Sequence, residues 1–520
     1  MCGISGGYDL DRVKRLANIA YMTEHQHKRG PDNRAITTVD DVTFGHNRLA
    51  IIDLTQSGDQ PAKTDRFLLT YNGEIYNYKD FSIAPNDTLA LLYSIQNKGV
   101  EATLPLLNGM YAFGVYDNKE NKIHLVSDRF AQKPLYYYHS GARFYFASTP
   151  AALYELESSW QINRDALQSY WLLGSVMSEY SIFCGIKKLN ASEHLTYDIL
   201  TNSVKIERYW EPQFQTNTNG IEDLVLDAIR LTKVSDVTIH IFLSGGIDST
   251  LVASQHLEGL AIHLDSPERQ YAQQAADRFG IDLKIVYPES IQTASYLTDY
   301  SKQCGEPTMA GLIPYTTAKE VSKYGKVAIS ANGADELFFG YDWLYEQYSS
   351  QQSTKLYRES AFGNQGKRYG FEFPGTRGVN GRGKQLYSYV QFDLNKTLDF
   401  ASMCHSLEVR NPFLDHRLVE MALSIPEKEH RANGNKTILK RMLKKMGFAD
   451  EFLNRPKLGF SLHRKPERLD ILIKGAFDWV QQNEFLNIKG LSLSERDRKY
   501  LEMSALGFFY WFKAWENKIK

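Results

Sequence analysis

The stretch TIHIFLSGGIDSTLVASQHL, residues 238–257, constrains the fold more than any other part of this chain. A short apolar run meets two adjacent glycines and enters a helical pattern with no long loop between. A strand fed directly into a helix is half of a βαβ unit, so it needs parallel neighbours and helices on the sheet faces. The sequence supplies them: LAIHLDS precedes the helix-like PERQYAQQAADRFG, LKIVYPE follows, and KVAISANG runs into a further helical segment. Short apolar strands alternating with helices predict a doubly wound parallel α/β sheet. The tail from about residue 380 reads as mainly helical, and its closing aromatic run FFYWFKAW as core packing.

The first part of the chain has another rhythm. From about residue 36 to 147, VTFGHNRLAIIDL, RFLLTYNGEIYN, MYAFGVYD, IHLVS, PLYYY and RFYFAS are apolar runs separated by turn residues, predicting consecutive strands, many antiparallel. The polar stretch QFQTNTNG after Pro212 has little periodicity and reads as a linker. With 520 residues the chain exceeds one core. The expected architecture is two-domain α/β, with units at 1–210 and 218–520.

A formal charge of -1, from 60 basic and 61 acidic residues, leaves no basic excess for a nucleic-acid surface. The amino-terminal stretch lacks the charged and apolar regions of a secretory leader, and no apolar run reaches membrane-span length. We expect a cytoplasmic protein with neither nucleic-acid nor membrane partners. Four cysteines stand at 2, 184, 304 and 404, without CxxC spacing or a zinc-type cluster. Cys184, Cys304 and Cys404 read as small buried hydrophobes in a reducing compartment.

Cys2 is different, because removal of the initiator Met would give one residue both a thiol and a free α-amine. With a thiol pKa near ~8.5 and an amine near ~7.7 to 8, the amine can take the thiol proton at neutral pH and later return it. A second chemistry-bearing stretch is LSGGIDST, Leu243 to Thr250. Between a strand and a helix, Gly245 and Gly246 let backbone N–H groups approach an anion. Ser244 and Ser249 add hydroxyls, and Asp248 can hold a Mg2+ ion that bridges phosphates. The Walker pattern GxxxxGK[ST] is absent, which argues against ordinary γ-phosphoryl transfer. A third stretch, ISANGADELFFGY (329–341), is either a plain strand-to-helix turn with acids at a helix start or the second wall of the same site.

Six segments carry a family resemblance: MCGISG, HKRGPDN (27–33), HNRLAIIDL (46–54), YNGEIYN (71–77), LNGMYAFGVYD (107–117) and SDRFAQKPLYY (127–137). In order and spacing they resemble the glutaminase domain of glutamine-dependent asparagine synthetases. The likeness continues through SGGIDS, which resembles the loop of ATP pyrophosphatases, and through SPERQYA (266–272), GEPTMAGLIPY (305–315), SLEVRNPFLD (406–415) and RPKLGFS (455–461).

The resemblance implies an amino-terminal-nucleophile αββα sandwich followed by an ATP pyrophosphatase domain with a helical tail. It implies that Cys2 attacks the glutamine amide, that Asn72 and Gly73 stabilise the oxyanion, and that Arg48 holds the α-carboxylate. Leu49, Ala50, Ile51, Ile52 and Glu74 would complete the glutamine site, and Asp87 would take its α-ammonium. At the nucleotide, Leu243 and Ile262 would meet the adenosine, and Ser330 and Ala331 would lie beside it. Asp248 and Asp335 would hold Mg2+, and Lys457 would meet charge developing on the adenylate. Read without the resemblance, Asn72-Gly73 is also a common hairpin turn, Lys457 is a solvated lysine, and Arg410 is a structural partner of Glu408 or Asp415.

The acceptor is the open point. The family usually has Ser-Gly-Glu-Gly or Ser-Gly-Asp-Gly where this chain has Ser330-Ala331-Asn332-Gly333, at the position tied to intermediate formation. A carboxamide carries no charge and is no base at neutral pH. Lys28, Gly305 and Asn411 are further departures, and the change at 305 also removes an acid. Aspartate is the expected acceptor, giving asparagine, glutamate, AMP and pyrophosphate. One alternative is another carboxylate, such as a sugar uronic acid of a surface polysaccharide; another is a non-catalytic protein that binds glutamine or nucleotide. Homodimers are common in the resembling family.

Overall fold

The protein is seen in a computed structural model that describes residues 1–176, 179–255, 258–287, 293–308, 311–340, 386–455, 469–486 and 495–520. The first unit holds twelve strands in chain order. They are β1 (Gly3–Tyr8), β2 (Asn33–Val39), β3 (Val42–Arg48), β4 (Ala62–Lys63), β5 (Phe67–Ile75), β6 (Gly109–Asp117), β7 (Lys122–Ser127), β8 (Tyr136–Ser140), β9 (Arg143–Ala147), β10 (Ile186–Lys188), β11 (Glu193–Asp198) and β12 (Ser203–Arg208). They form two antiparallel sheets, β10-β8-β9-β1-β3-β2 and β12-β11-β7-β6-β5-β4. Ile4, Phe44 and Phe146 of one sheet and Leu68, Ala112 and Leu125 of the other share a buried cluster, so the sheets pack face to face.

Helices close both outer faces. Asp11 caps Arg12–His25 by accepting from the Val13 and Lys14 amides, and this helix lies on β1 and β3. Asn86 caps Asp87–Lys98, which buries Leu91, Leu92 and Ile95 against β5 and β6. The layers are therefore helix, sheet, sheet, helix. The expected run VTFGHNRLAIIDL is strand only as far as Arg48. Beyond it the backbone leaves the ladder, and the Ile51 carbonyl accepts from Asp236 in the second unit.

Residues 211–220 form no regular element. The second unit then adds β13 (Ile239–Phe242), β14 (Ala261–Leu264), β15 (Leu283–Val286), β16 (Val327–Ile329) and β17 (Glu408–Arg410), all parallel, in the order β15-β14-β13-β16-β17. The chain winds one way from β13 to β15 and the other way from β16 to β17. The order reverses between β13 and β16, the place where an open α/β sheet leaves a crevice beyond its strand ends. LSGGIDST follows β13 and SANG follows β16.

The tail is mainly helical, as expected, with β17 as its one described strand. In the helix Glu495–Trp515, Phe508, Trp511 and Trp515 are buried against Tyr154, Tyr170 and Phe183 of the first unit. The Trp511 and Trp515 indoles donate to the carbonyls of Gly305 (2.6 Å) and Ser301 (2.9 Å) within the second unit, and the Tyr154 hydroxyl of the first unit donates to the same Gly305 carbonyl, so the aromatic run closes the joint between units. Cys304 and Cys404 are buried, but Cys184 is exposed, against expectation. It lies in the turn between Phe183, which takes the core position, and β10.

Charges also cross the joint. Arg29 makes a two-pronged contact with Asp399, at 2.9 and 3.3 Å, with both side chains almost fully buried, and its Nε donates to the Cys2 carbonyl at 3.1 Å. Truncating one partner strands the other charge in a dry interface, a loss of about 3–5 kcal/mol. Arg29→Ala should lower the Tm in a calorimetric or fluorescence melt by several degrees; an unchanged Tm would show that the pair does not fasten the units.

Candidate active site

A small cleft opens over β5, lined by Cys2, Arg48, Leu49, Ile51, Ile52, Gly73, Glu74 and Asp87 together with Met1, Gly58, Gln60, Tyr71 and Thr88. Eight of the expected glutamine-site residues thus meet at one place. The Cys2 amide donates to Asn72 Oδ1 at 2.7 Å, while the buried Asn72 Nδ2 has no hydrogen-bond partner among the described residues. An orphaned buried donor costs about 1–3 kcal/mol, and an incoming oxyanion would relieve that cost. Ala50 stands apart from the lining, with its amide donating to Asp32 Oδ2 at 2.7 Å.

Asn72-Gly73 is not a hairpin turn. Both residues lie inside β5, paired with Ala112 and Tyr111 of β6. Gly73 has φ 144, and a Cβ added there would come within 2.0 Å of the Met110 carbonyl oxygen. The glycine is therefore demanded by a distortion within a strand.

Electrostatics divide the cleft into two ends. Arg48 Nη1 meets Asp59 Oδ1 at 2.8 Å and the Thr55 carbonyl at 2.6 Å, which fixes the guanidinium at one wall. Asp87 accepts from the Tyr71 hydroxyl at 2.7 Å and the Ile75 amide at 3.1 Å, yet burial pushes its pKa up. Burial likewise raises the Cys2 thiol. At the floor, Glu74 Oε1 lies 3.5 Å from Arg410 Nη2, Arg410 Nε donates to Glu408 Oε1 at 2.6 Å, and Glu408 Oε2 is 2.8 Å from the Met1 amine. Burial and the charge of Glu408 raise Glu74 well above the carboxylate range. Against its own burial, Glu408 is held low by the Met1 amine and Arg410. Arg410 pairs with Glu408; Asp415 instead meets Arg417 and Asn108.

The second group gathers at the strand-order reversal. The Ser244 and Ser249 hydroxyls are 2.9 Å apart, and Ser244 Oγ accepts from the Gly246 amide, shaping the turn after β13. The Leu243 amide donates to the Ile262 carbonyl, which ties the loop to β14. After β16 the Ser330 amide donates to the Arg410 carbonyl, Ser330 Oγ donates to Asn332 Oδ1 at 3.2 Å, and half-buried Ala331 packs on the core. Asp248 and Asp335, one from each loop, converge on the buried ammonium of Lys436. The two carboxylates hold this ammonium above the usual lysine pKa, against the effect of burial. Two carboxylates converging on one cation form the oxygen donor set that suits Mg2+. Lys457 lies outside the described residues.

Lys436 is a member of this cluster that motif reading missed. It sits in a left-handed conformation, φ 58, just before the helix Thr437–Lys445, and nothing local in GNKTILKR marks it. Gly305 also changes meaning. With φ 85, and with a Cβ there only 2.6 Å from the Ala151 amide, its missing acid reflects packing against the first unit. Asn411 lies in the same joint, donating to Gln132 at 3.4 Å.

Comparison with known proteins gives the family of each part of the chain. A glutamine amidotransferase domain matches residues 1–210, and the asparagine synthase family matches residues 220–379 and 382–510. The chain is thus an amidotransferase domain joined to an asparagine synthase domain. The glutamine-hydrolysing asparagine synthetase 3 of Bacillus subtilis is 30% identical, over 92% of this chain and 89% of its own. Asparagine synthetase 1 of the same organism is 26% identical, over 88% and 87%. The protein belongs to the glutamine-dependent asparagine synthetase family, which implies glutamine and ATP as small-molecule substrates. Among the described residues no helix is long and apolar enough to cross a membrane.

Replacing Lys436 by Met would leave Asp248 and Asp335 facing each other with no ammonium between them. Lys436→Met should cost about 3–5 kcal/mol of stability, seen as a lower Tm, and Mg2+ should restore part of the loss. A Tm that neither falls nor responds to Mg2+ would show that the two carboxylates do not form a cation site.

Proposed function

We propose that the protein is a glutamine-dependent asparagine synthetase that hydrolyses glutamine in the first cleft and amidates aspartate, activated by ATP, in the second. The observation that carries this reading is the joint placement of Cys2, the unpartnered Asn72 amide and the Asp248–Asp335 pair in one chain. Removal of Met1 gives Cys2 its α-amine, which accepts the thiol proton as sulfur attacks the amide carbon. Asn72 Nδ2 and the Gly73 amide stabilise the resulting oxyanion. The C–N bond then breaks, the proton returns to the leaving nitrogen, and water hydrolyses the thioester to glutamate. Arg48 takes the substrate α-carboxylate and Asp87 its ammonium, while Leu49, Ala50, Ile51, Ile52 and Glu74 shape the rest of the site.

In the second cleft Leu243 and Ile262 receive the adenosine, and Ser244, Gly245, Gly246, Ser249, Ser330 and Ala331 surround the nucleotide. The acceptor carboxylate attacks the α-phosphorus, pyrophosphate leaves, and ammonia displaces AMP. Asp248 and Asp335 would hold Mg2+, which would supply charge neutralisation on the phosphates, and Lys457 meets the developing negative charge. Ammonia crosses within the joint, because bulk water would protonate it and hydrolyse the adenylate. The four free cysteines fit a cytoplasmic location, and family likeness supports a homodimer.

Asn332 favours a second reading, the same chemistry on another carboxylate such as a sugar uronic acid. Its carboxamide is tied to Ser330 where the family usually places an acid. Glutamine, MgATP and aspartate supplied together should yield glutamate, pyrophosphate and asparagine. Glutamate without aspartate-dependent AMP would favour the second reading, and turnover of neither substrate would leave a binding protein. Cys2→Ala should abolish glutamine use but spare synthesis from ammonia; if glutamine still supports synthesis, the nucleophile is misassigned. Asn332→Glu should change acceptor preference or the rate of amidation while leaving glutamine hydrolysis alone, and an unchanged acceptor profile would free that position of the role.

A further inference from the structure

The outer half of the second sheet of the first unit holds ligand-type side chains that no step above uses. In the β7–β11 ladder Thr196 stands opposite His124, and His194 lies two residues back along β11. Period-two alternation therefore puts all three on one face. His124 Nδ1 and His194 Nε2 are 2.9 Å apart, with Thr196 Oγ1 at 3.4 and 3.5 Å from them. Glu101, on the helical turn Val100–Thr103, covers this face, and one ligand atom from each of Glu101, His124 and His194 lies within 4.8 Å of the others.

Both imidazoles are buried, and burial lowers the pKa of each, that of His124 to about 4. Each neutral ring keeps one lone-pair nitrogen, so the proton shared between His124 Nδ1 and His194 Nε2 shifts to the other nitrogen of its ring when both face a Lewis acid. A histidine pair hydrogen-bonded to itself does not call for a carboxylate above it, whereas a cation does. We propose that His124, His194 and Glu101 bind one divalent transition-metal ion of the zinc type, with water beside Thr196 in the fourth position. Zn–N bonds of about 2.0–2.1 Å place two tetrahedral ligand nitrogens roughly 3.3 Å apart, so the rings need part by only a few tenths of an ångström. Two imidazoles and one carboxylate suit Zn2+ and exclude Mg2+, which takes oxygen ligands. The ion would fasten the turn 100–103 to the β7–β11 pair, away from the carboxylates of the nucleotide site.

The test uses the full-length protein, stripped with EDTA and titrated with Zn2+ or Co2+ in the absence of ATP. Wild type should bind one more equivalent than the His124→Gln/His194→Gln double variant, give a visible Co2+ absorption that the variant lacks, and gain Tm with Zn2+. Excess Mg2+ should displace none of it. Equal uptake by wild type and variant, or displacement by Mg2+, would reduce the cluster to a hydrogen-bonded histidine pair. If the double variant does not fold, Glu101→Gln, at an exposed position, should weaken Zn2+ binding by about tenfold or more; unchanged affinity overturns the proposal.

Discussion

The buried guanidinium of Arg410 holds the two halves of this protein in register. Its side chain reaches Glu408 and Glu74, and donates at 2.7 Å to the Thr232 and Val234 carbonyls. Its own carbonyl accepts from Ser330 at the edge of the nucleotide loop. One residue therefore touches the floor of the first cleft and the wall of the second. Of these contacts the one to Glu74 crosses between the units, as does the pairing of Glu408 with the Met1 amine. Charges this deep carry desolvation costs of several kcal/mol each, so sliding one unit over the other would strip them of part of their pairing. Arg29, joining the Cys2 carbonyl to Asp399, adds a second tie of the same kind.

This arrangement bears on the chemistry proposed for the pair of sites. A floor of buried carboxylates and one guanidinium excludes bulk water and fixes its charges before substrate arrives, the condition under which electrostatic preorganisation is most effective. Burial and the neighbouring Glu408 push the pKa of Glu74 well above the carboxylate range, while Arg410 opposes that shift.

Much of this was legible in the residues. Alternation of short apolar runs with helices foretold the parallel sheet, and the strand-order reversal places SGGIDS and SANG side by side, as their shared strand-glycine-helix form anticipated. The residues expected at a glutamine site came from the family resemblance of ordered motifs, and most of them line one cleft. Other features had no local signal. Lys436 reaches Asp248 across 188 positions. The pairing of His124 with His194 is set by strand register rather than by motif spacing. Asn72-Gly73 misled for a physical reason: the dipeptide that favours a tight turn also serves a strand whose glycine must clear the Met110 carbonyl. Gly305 reads as a lost acid in the sequence and as a packing requirement in the fold.

If the Glu74–Arg410–Glu408 network joins the proposed glutaminase and synthetase sites, its loss should uncouple their products. The most direct measurement is the ratio of glutamate to pyrophosphate formed under saturating glutamine, ATP and acceptor, compared between wild type and Arg410→Met, with the fold of the variant verified by circular dichroism. The two products should rise together in wild type, and glutamate should outrun pyrophosphate in the variant. A folded variant with the wild-type ratio would contradict that coupling.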